Sequence, residues 1–187
     1  MRINSRGSWI LKDPNRHTVS RELAEALIDF AQTSNVIDAV DLGCGNGGYV
    51  KSMIDMGVEC VGYDGNPHTP EITDGLCKTL DLSSPISIGR YDLVICLEVG
   101  EHVPEKYENI LLDNLAKTAD RFLVLSWAIP GQRGTGHVNC KSNEYIAKEL
   151  SRRGFKLTDD YKALRESVVG KKFGHFKNTI LTFMRER

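Results

Sequence analysis

Val36-Ile37-Asp38-Ala39-Val40-Asp41-Leu42 runs without a break into Gly43-Cys44-Gly45-Asn46-Gly47-Gly48, and this junction decides the fold. The first seven residues are short, apolar and β-branched, the pattern of a strand buried on both faces. The glycines that follow let the chain turn tightly and bring backbone close to a ligand with no Cβ in the way. Tyr49, Val50, Met53 and Ile54 then recur at helical spacing. A strand that passes through a glycine turn into a helix is the unit of a parallel, doubly wound sheet.

The alternation continues on both sides. Upstream, Leu23, Leu27, Phe30 and Ala31 mark a helix that starts at Thr18, with Ser20 or Thr18 as its cap. Downstream, strands are predicted over Val58–Tyr63, Cys77–Leu82, Tyr91–Val99 and Arg121–Ala128, with a short helix over Pro70–Leu76. Ile110, Leu111, Asn114, Leu115 and Lys117 lie in a helix entered near Pro104. Ser142–Arg153 forms another, closed by Gly154, before strands at Phe155–Leu157 and Thr179–Met184. The class is therefore α/β, a sheet covered on both faces, with ligands expected beyond the carboxyl ends of the strands.

Composition fits one domain. The chain has 187 residues, 41% hydrophobic and 26% charged, enough to bury a core unaided. A net charge of −1 supplies no general field for gripping nucleic acid, which makes a long phosphate-tracking surface the less favoured partner. Five cysteines, an odd number without a CxxC pair, fit neither a disulfide framework nor a zinc ribbon. No run resembles a signal peptide or a membrane span. A reduced, cytoplasmic protein that acts on a small molecule, away from membranes, is the expectation; the sequence is silent on oligomeric state. Residues 1–34 are read as an amino-terminal segment and helix covering the site, and 35–187 as the domain proper.

Two groups of residues carry chemistry. Asp41 stands just before Gly43, and Asp64 follows about 20 residues after it, at the end of the next strand. A carboxylate at that place can accept both ribose hydroxyls of a nucleoside. The GxGxxG spacing of a dinucleotide fold is not met by Gly47, which comes one residue early, although Gly48 fills the later position. That spacing disfavours a nicotinamide dehydrogenase. The second group is Glu98-Val99-Gly100-Glu101-His102, with His137 after the following strand. Two carboxylates and two imidazoles suit a divalent ion such as Mg²⁺, Mn²⁺ or Zn²⁺. Without a metal, His137 is the general base, since an imidazole takes protons near neutrality. In a plainer alternative Glu98 and Glu101 order the pocket, His102 caps a helix and His137 is a loop residue. Gly131–Gly136 is either a lid or a surface loop. Trp9 and His17 precede the sheet and shape a substrate pocket or merely pack an ordered terminus. The basic and aromatic run Lys171–Lys177 is read as a solvated connection, with phosphate or base contact as the alternative.

Asp41-Leu42-Gly43-Cys44-Gly45-Asn46-Gly47 resembles motif I of the class I S-adenosylmethionine (SAM)-dependent methyltransferases. The resemblance spans roughly residues 35–185, with Tyr63-Asp64 as the second acidic motif and Tyr91–Glu98 as the fourth strand. It implies a Rossmann-like three-layer sandwich whose seven-stranded sheet is mostly parallel, the last strand antiparallel. Phe155–Arg165 and Phe176–Met184 would be its last two strands. It also implies that Gly43, Cys44, Gly45, Gly47 and Leu97 line the cofactor. Asp41 would lie near its amino group, Asp64 on the ribose, and Asp81 and Leu82 at the adenine.

Glu98-Val99-Gly100-Glu101-His102 is similar to a motif of ubiquinone-biosynthesis O-methyltransferases and small-RNA terminal 2′-O-methyltransferases. That likeness implies Glu98, Glu101, His102 and His137 as metal ligands and as the catalytic group, although the RNA enzymes' longer motif for the later histidine is missing. No Asn-Pro-Pro-Tyr-like motif follows the fourth strand, which counts against amino methylation of bases or glutamine. The implied activity is methyl transfer from SAM, leaving S-adenosylhomocysteine (SAH), to an oxygen or nitrogen of a small polar metabolite. A sugar or natural-product intermediate is favoured, since the chain carries no added substrate domain. An RNA 2′-O-methyltransferase and a non-catalytic SAM-binding module are the alternatives.

Overall fold

Two antiparallel dipeptide strands, β1 (Arg2–Ile3) and β2 (Trp9–Ile10), open the chain in the computed structural model, which describes residues 2–168, 170 and 172–186. After α1 (Arg21–Thr33) come β3 (Asp38–Leu42), α2 (Gly48–Asp55), β4 (Glu59–Asp64), α3 (Thr69–Ile72) and β5 (Cys77–Thr79). The second half runs β6 (Tyr91–Leu97), α4 (Glu108–Thr118), β7 (Ala119–Ser126), α5 (Asn143–Ser151), β8 (Phe155–Thr158), α6 (Tyr161–Ser167), α7 (Phe176–Thr179) and β9 (Ile180–Arg185). Seven strands form one sheet in the order β5-β4-β3-β6-β7-β9-β8. All pair in parallel except β9, the last, which lies antiparallel between β7 and β8.

Alternation along each strand divides the core. Val40, Leu42, Val94, Cys96, Leu123 and Leu125 face Leu111, Leu112 and Leu115 of α4 and Ile146 and Leu150 of α5. Ala39, Leu93, Ile95 and Val124 face the other way, onto Leu23, Leu27 and Ala31 of α1, Met53 of α2 and Leu164 of α6. Strands buried on both sides must be apolar throughout, which is why their sequences read as unbroken hydrophobic runs. The capping reading holds at Ser20, whose Oγ accepts from the Leu23 N–H at 3.2 Å. Gly154 takes φ +81° just after α5, where the chain reverses into β8.

Four features differ from the expectations; in the first, Phe176–Thr179, expected to open the last strand, forms α7, and the strand begins at Ile180. The strand expected over 155–165 ends at Thr158, and Tyr161–Ser167 is helical because Tyr161, Leu164 and Val168 recur at helical spacing and turn onto the α1 face. The strand expected to reach Leu82 stops at Thr79, beyond which Asp81 engages Ser83 and Ser84. The β1–β2 hairpin is too short for any periodicity to announce it. Lys171, part of the basic and aromatic run, lies outside the described residues. Among the described residues no helix is long and apolar enough to cross a membrane, and the five cysteines are unpaired.

Ile95 is wholly buried in the central strand, whereas Ile37 at its neighbour's entrance is 74% exposed. Ile95→Ala is expected to lower unfolding free energy by about 2–5 kcal/mol in urea titrations, and Ile37→Ala by less than about 0.5 kcal/mol.

Candidate active site

Beyond the carboxyl ends of β3 and β6 the chain leaves in opposite directions, to β4 on one side and β7 on the other, and a cavity of about 360 Å³ opens there. Its floor is the glycine turn. The Gly43 and Cys44 N–H groups both donate to the Tyr63 carbonyl, at 2.7 and 3.1 Å. Gly43 reaches this geometry with φ +96°, and a Cβ on it would stand 2.1 Å from Val99 Cγ2. Gly45 donates its N–H to Asp64 Oδ2 at 2.9 Å, and Asn66 N–H donates to Asp64 Oδ1 at 2.8 Å. Each Asp64 oxygen thus keeps a lone pair for a ligand hydroxyl. Burial raises the Asp64 pKa, with the two backbone N–H groups and His17 working against the rise.

The remaining residues of the predicted nucleoside site fall in two classes. Cys44, Leu82 and Leu97 line the cavity, while Gly47 lies behind it, capping α2 at φ +73° and packing on Cys77. Asp41 lines the cavity with 2% exposure, and its Oδ2 has no hydrogen-bond partner. Burial pushes its pKa well up, helped by Cys77 and Asp64. Asp81 also faces the cavity, but Arg6 donates to its Oδ2 at 2.7 Å and Ser83 to its Oδ1. Although partial burial opposes them, the bonds from Ser83 and Ser84 and the Arg6 charge hold its pKa low. Arg6 belongs to the amino-terminal segment, of which Arg6–Trp9 and Arg16–Val19 form one wall.

The carboxylate–histidine group assembles at the end of β6. Glu98 adopts φ +55°, a left-handed conformation costly for any residue with a Cβ, and is held by its surroundings. Ser126 Oγ donates to its Oε1 at 2.9 Å, Gln132 Nε2 to its Oε2 at 3.3 Å, and His175 Nε2 stands 3.7 Å away. Glu101 is fully buried with both carboxyl oxygens unpartnered, and burial together with Glu98 pushes its pKa well up. His137 Nε2 lies 3.9 Å from Glu101 Oε1. One ligand atom from each of Glu101, His102 and His137 lies within 4.8 Å of the others; Glu98 is outside that cluster.

Second contacts orient the two imidazoles. His102 Nδ1 lies 3.2 Å from the Gly136 carbonyl, and His137 Nδ1 lies 3.2 Å from the Gln132 carbonyl. The Trp9 Nε1–H also points at His102 Nδ1, 3.4 Å away, so that nitrogen faces one donor and one acceptor. The rings meet edge to face, 5.1 Å between centroids, and Trp9 packs on His102 at 5.3 Å. Burial, reinforced by His137, lowers the His102 pKa to about 4. His102 lines the cavity and His137 sits behind it, 11% exposed, so the neighbourhood expected of the pair is present with only one of them open to a ligand. The 131–136 loop is tied down where it ends, since Val138 and Asn139 N–H donate to the Glu101 carbonyl.

Lys172, Phe173, His175 and Phe176, expected in a solvated connection, line the cavity instead. Their mixture of base and aromatic was visible, but only packing against Glu98 and α1 turns it inward.

A family model described as a methyltransferase domain matches residues 15–159. A chloroplastic tocopherol O-methyltransferase of Arabidopsis thaliana is 26% identical over 113 residues, which is 53% of this chain and 32% of that protein. The chain therefore spans about a third of the length of that curated relative. Among solved structures, magnesium protoporphyrin IX methyltransferase from Synechocystis PCC 6803 with bound SAH is similar with TM-score 0.67. It is 20% identical and covered at 91% of this chain and 90% of that one. The N-methyltransferase NodS from Bradyrhizobium japonicum WM9, in complex with SAH, gives TM-score 0.66 at 15% identity, covering 95% and 94%.

A buried carboxyl that holds its proton longer in the folded chain than in the unfolded one stabilises fully below its unfolded pKa and loses that contribution as pH rises. For Asp41 that places the loss above about pH 4. Urea titrations of the ligand-free protein between pH 5 and 8 should show this falling contribution, and Asp41→Asn should flatten the slope; an unchanged slope would mean that Asp41 ionises as freely as in the unfolded chain.

Proposed function

The chain belongs to the methyltransferase-domain family, and from that premise we propose that it moves the methyl group of SAM to a hydroxyl oxygen of a small polar acceptor. A sugar or natural-product intermediate is the favoured class. The observation that carries this reading is a cavity that holds the glycine turn and Asp64 at one end and, at the other, His102, the open member of a cluster with the buried Glu101 and His137. The net charge of −1 favours such an acceptor over a polyanion. Five unpaired thiols support a reducing, cytoplasmic compartment.

The cradle fits the donor on its own features. A side chain at Gly43 or Gly45 would strike Val99 or His17, so the turn has to remain bare. Asp64 accepts the ribose hydroxyls with its free lone pairs. The unpartnered oxygen of Asp41 receives the donor's amino group, whose positive charge favours the ionised carboxylate that burial alone disfavours. Cys44, Leu82 and Leu97 form the apolar walls, Gly47 sets the turn, and Asp81, fixed by Arg6, borders the adenine. Residues 1–34 act as the cover and 35–187 as the methyltransferase domain.

A divalent ion fits the second cluster because the Glu101 carboxyl oxygens have no partners and His102 and His137 each bring a ring nitrogen within 4.8 Å of them. Glu101, His102 and His137 would hold it, and two imidazoles with one carboxylate suit Mn²⁺ or Zn²⁺ better than Mg²⁺. When bound, it would lower the proton affinity of an acceptor hydroxyl. Glu98, which lines the cavity and lies outside the cluster, takes that hydroxyl proton. The acceptor oxygen forms its bond to the methyl carbon as the carbon–sulfur bond breaks, and SAH leaves with the bonding pair on sulfur. Most of the rate then comes from alignment of the two reactants in the cavity.

Calorimetric titration tests both halves. SAH should bind the wild type, and Asp64→Ala should weaken it by about 1.5–3 kcal/mol; unchanged affinity would remove the ribose assignment. With SAH present, Mn²⁺ or Zn²⁺ should bind the chelator-treated wild type stoichiometrically and Glu101→Gln weakly. Equal binding, or none to either, would remove the metal. In a radiolabelled methyl-transfer screen of sugars and hydroxylated metabolites, Glu98→Gln should lower kcat about 10²–10⁴-fold with SAH affinity retained.

A further inference from the structure

His17 has been given no contact with the donor above, yet it occupies the wall of the cavity beside the glycine turn. Its ring nitrogen Nε2 is buried and has no hydrogen-bond partner. Such an atom is uncommon in a folded chain and points to a missing partner. Its placement is fixed by neighbours. Asp13 caps the turn Pro14–Arg16, the His17 N–H donates to the Pro14 carbonyl at 3.3 Å, and His17 leaves the turn extended. Asn46, within the glycine turn, donates its side-chain N–H to the Pro14 carbonyl at 3.2 Å and to the His17 carbonyl at 3.4 Å. The imidazole is thereby laid on Gly45, where a Cβ would come within 2.8 Å of His17 Nδ1. Gly45 is the residue whose N–H holds Asp64.

We propose that His17 is a donor-binding residue, its Nε2 donating a hydrogen bond to an oxygen of SAM or SAH. This rests on the reading of the cavity as a SAM site and extends it to the amino-terminal segment. Two carboxyls, Asp41 and Asp64, already face this end of the cavity, and the Gly45 N–H is spent on Asp64. A nitrogen donor is the group still needed for an oxygen-rich ligand there. The oxygen belongs either to a ribose hydroxyl or to the amino-acid carboxylate; both accept from an imidazole N–H. Burial, opposed by Asp64, lowers the His17 pKa, which agrees with a neutral ring that carries one N–H.

The test is calorimetric binding of SAH and of 5′-methylthioadenosine, which has the nucleoside but no amino acid, to the full chain. Wild type is compared with His17→Ala, His17→Gln and His17→Asn, each checked by its melting temperature. SAH affinity should fall at least tenfold in His17→Ala and recover in His17→Gln, whose amide reaches the Nε2 position, but not in the shorter His17→Asn. Loss for both ligands places the contact on the ribose, and loss for SAH alone places it on the carboxylate. SAH affinity in His17→Ala within twofold of wild type overturns the proposal. If His17→Ala does not fold, equal SAH affinity in the Gln and Asn variants overturns it instead, since packing alone would not tell the two amides apart. Failure of wild type to bind SAH at all is a different result, which would reject the SAM site itself.

Discussion

Two backbone N–H groups, those of Gly43 and Cys44, converge on the single carbonyl of Tyr63, and the position of the site depends on this junction. It locks the turn leaving β3 to the last residues of β4, so that Asp64, the next residue after Tyr63, meets the Gly45 N–H. Only a residue free to take φ near +96°, with no Cβ to strike Val99, can begin such a turn. The sheet supplies the rigidity behind it. β3 is paired on both sides, and its apolar residues are buried against helices on both faces. A shift of that strand would move the glycine turn and, through β6, the Glu98–His102 stretch as well.

The site is assembled against the preferences of a stable fold. Asp41 and Glu101 are buried carboxyls with oxygens that bond to nothing in the ligand-free chain, and desolvation drives both toward their neutral forms. Glu98 is held in a left-handed conformation by Ser126 and Gln132. Strain and unpaired polar atoms cluster where function needs a group preorganised for a ligand, and the surrounding core sustains them. Leu93, Val94, Ile95 and Cys96, all fully buried in β6, stand directly behind this stretch.

The amino-terminal segment joins the two ends of the cavity. Arg6 pairs with Asp81 at one end, while Trp9 packs on His102 at the cluster. Between them Asn66 anchors the segment by accepting from the Leu11 N–H and donating to the Leu11 carbonyl. Gly7 lies so close to the His102 carbonyl that a Cβ would come within 2.1 Å of it. One short stretch of chain thus touches Asp81, the cluster and the loop after β4.

The sequence by itself made legible the α/β class, the strand–turn–helix junction at Asp41–Gly47 and the gathering of Asp64, Glu98, Glu101 and His102 beyond the strand ends. Those features are local: alternating apolar runs impose strands, and glycines at fixed offsets impose a turn. It also placed His137 near Glu101, because consecutive parallel strands end side by side. Tertiary structure alone decided the rest. It set Glu98 apart from the other three ionisable groups, because Ser126, Gln132 and His175 hold its carboxylate from elements far along the chain. It gave Asp81 a cation, turned Phe173 and His175 inward, and left His17 Nε2 without a partner. Which side chain ends up unpaired depends on contacts between residues distant in sequence, and neither periodicity nor spacing carries that information.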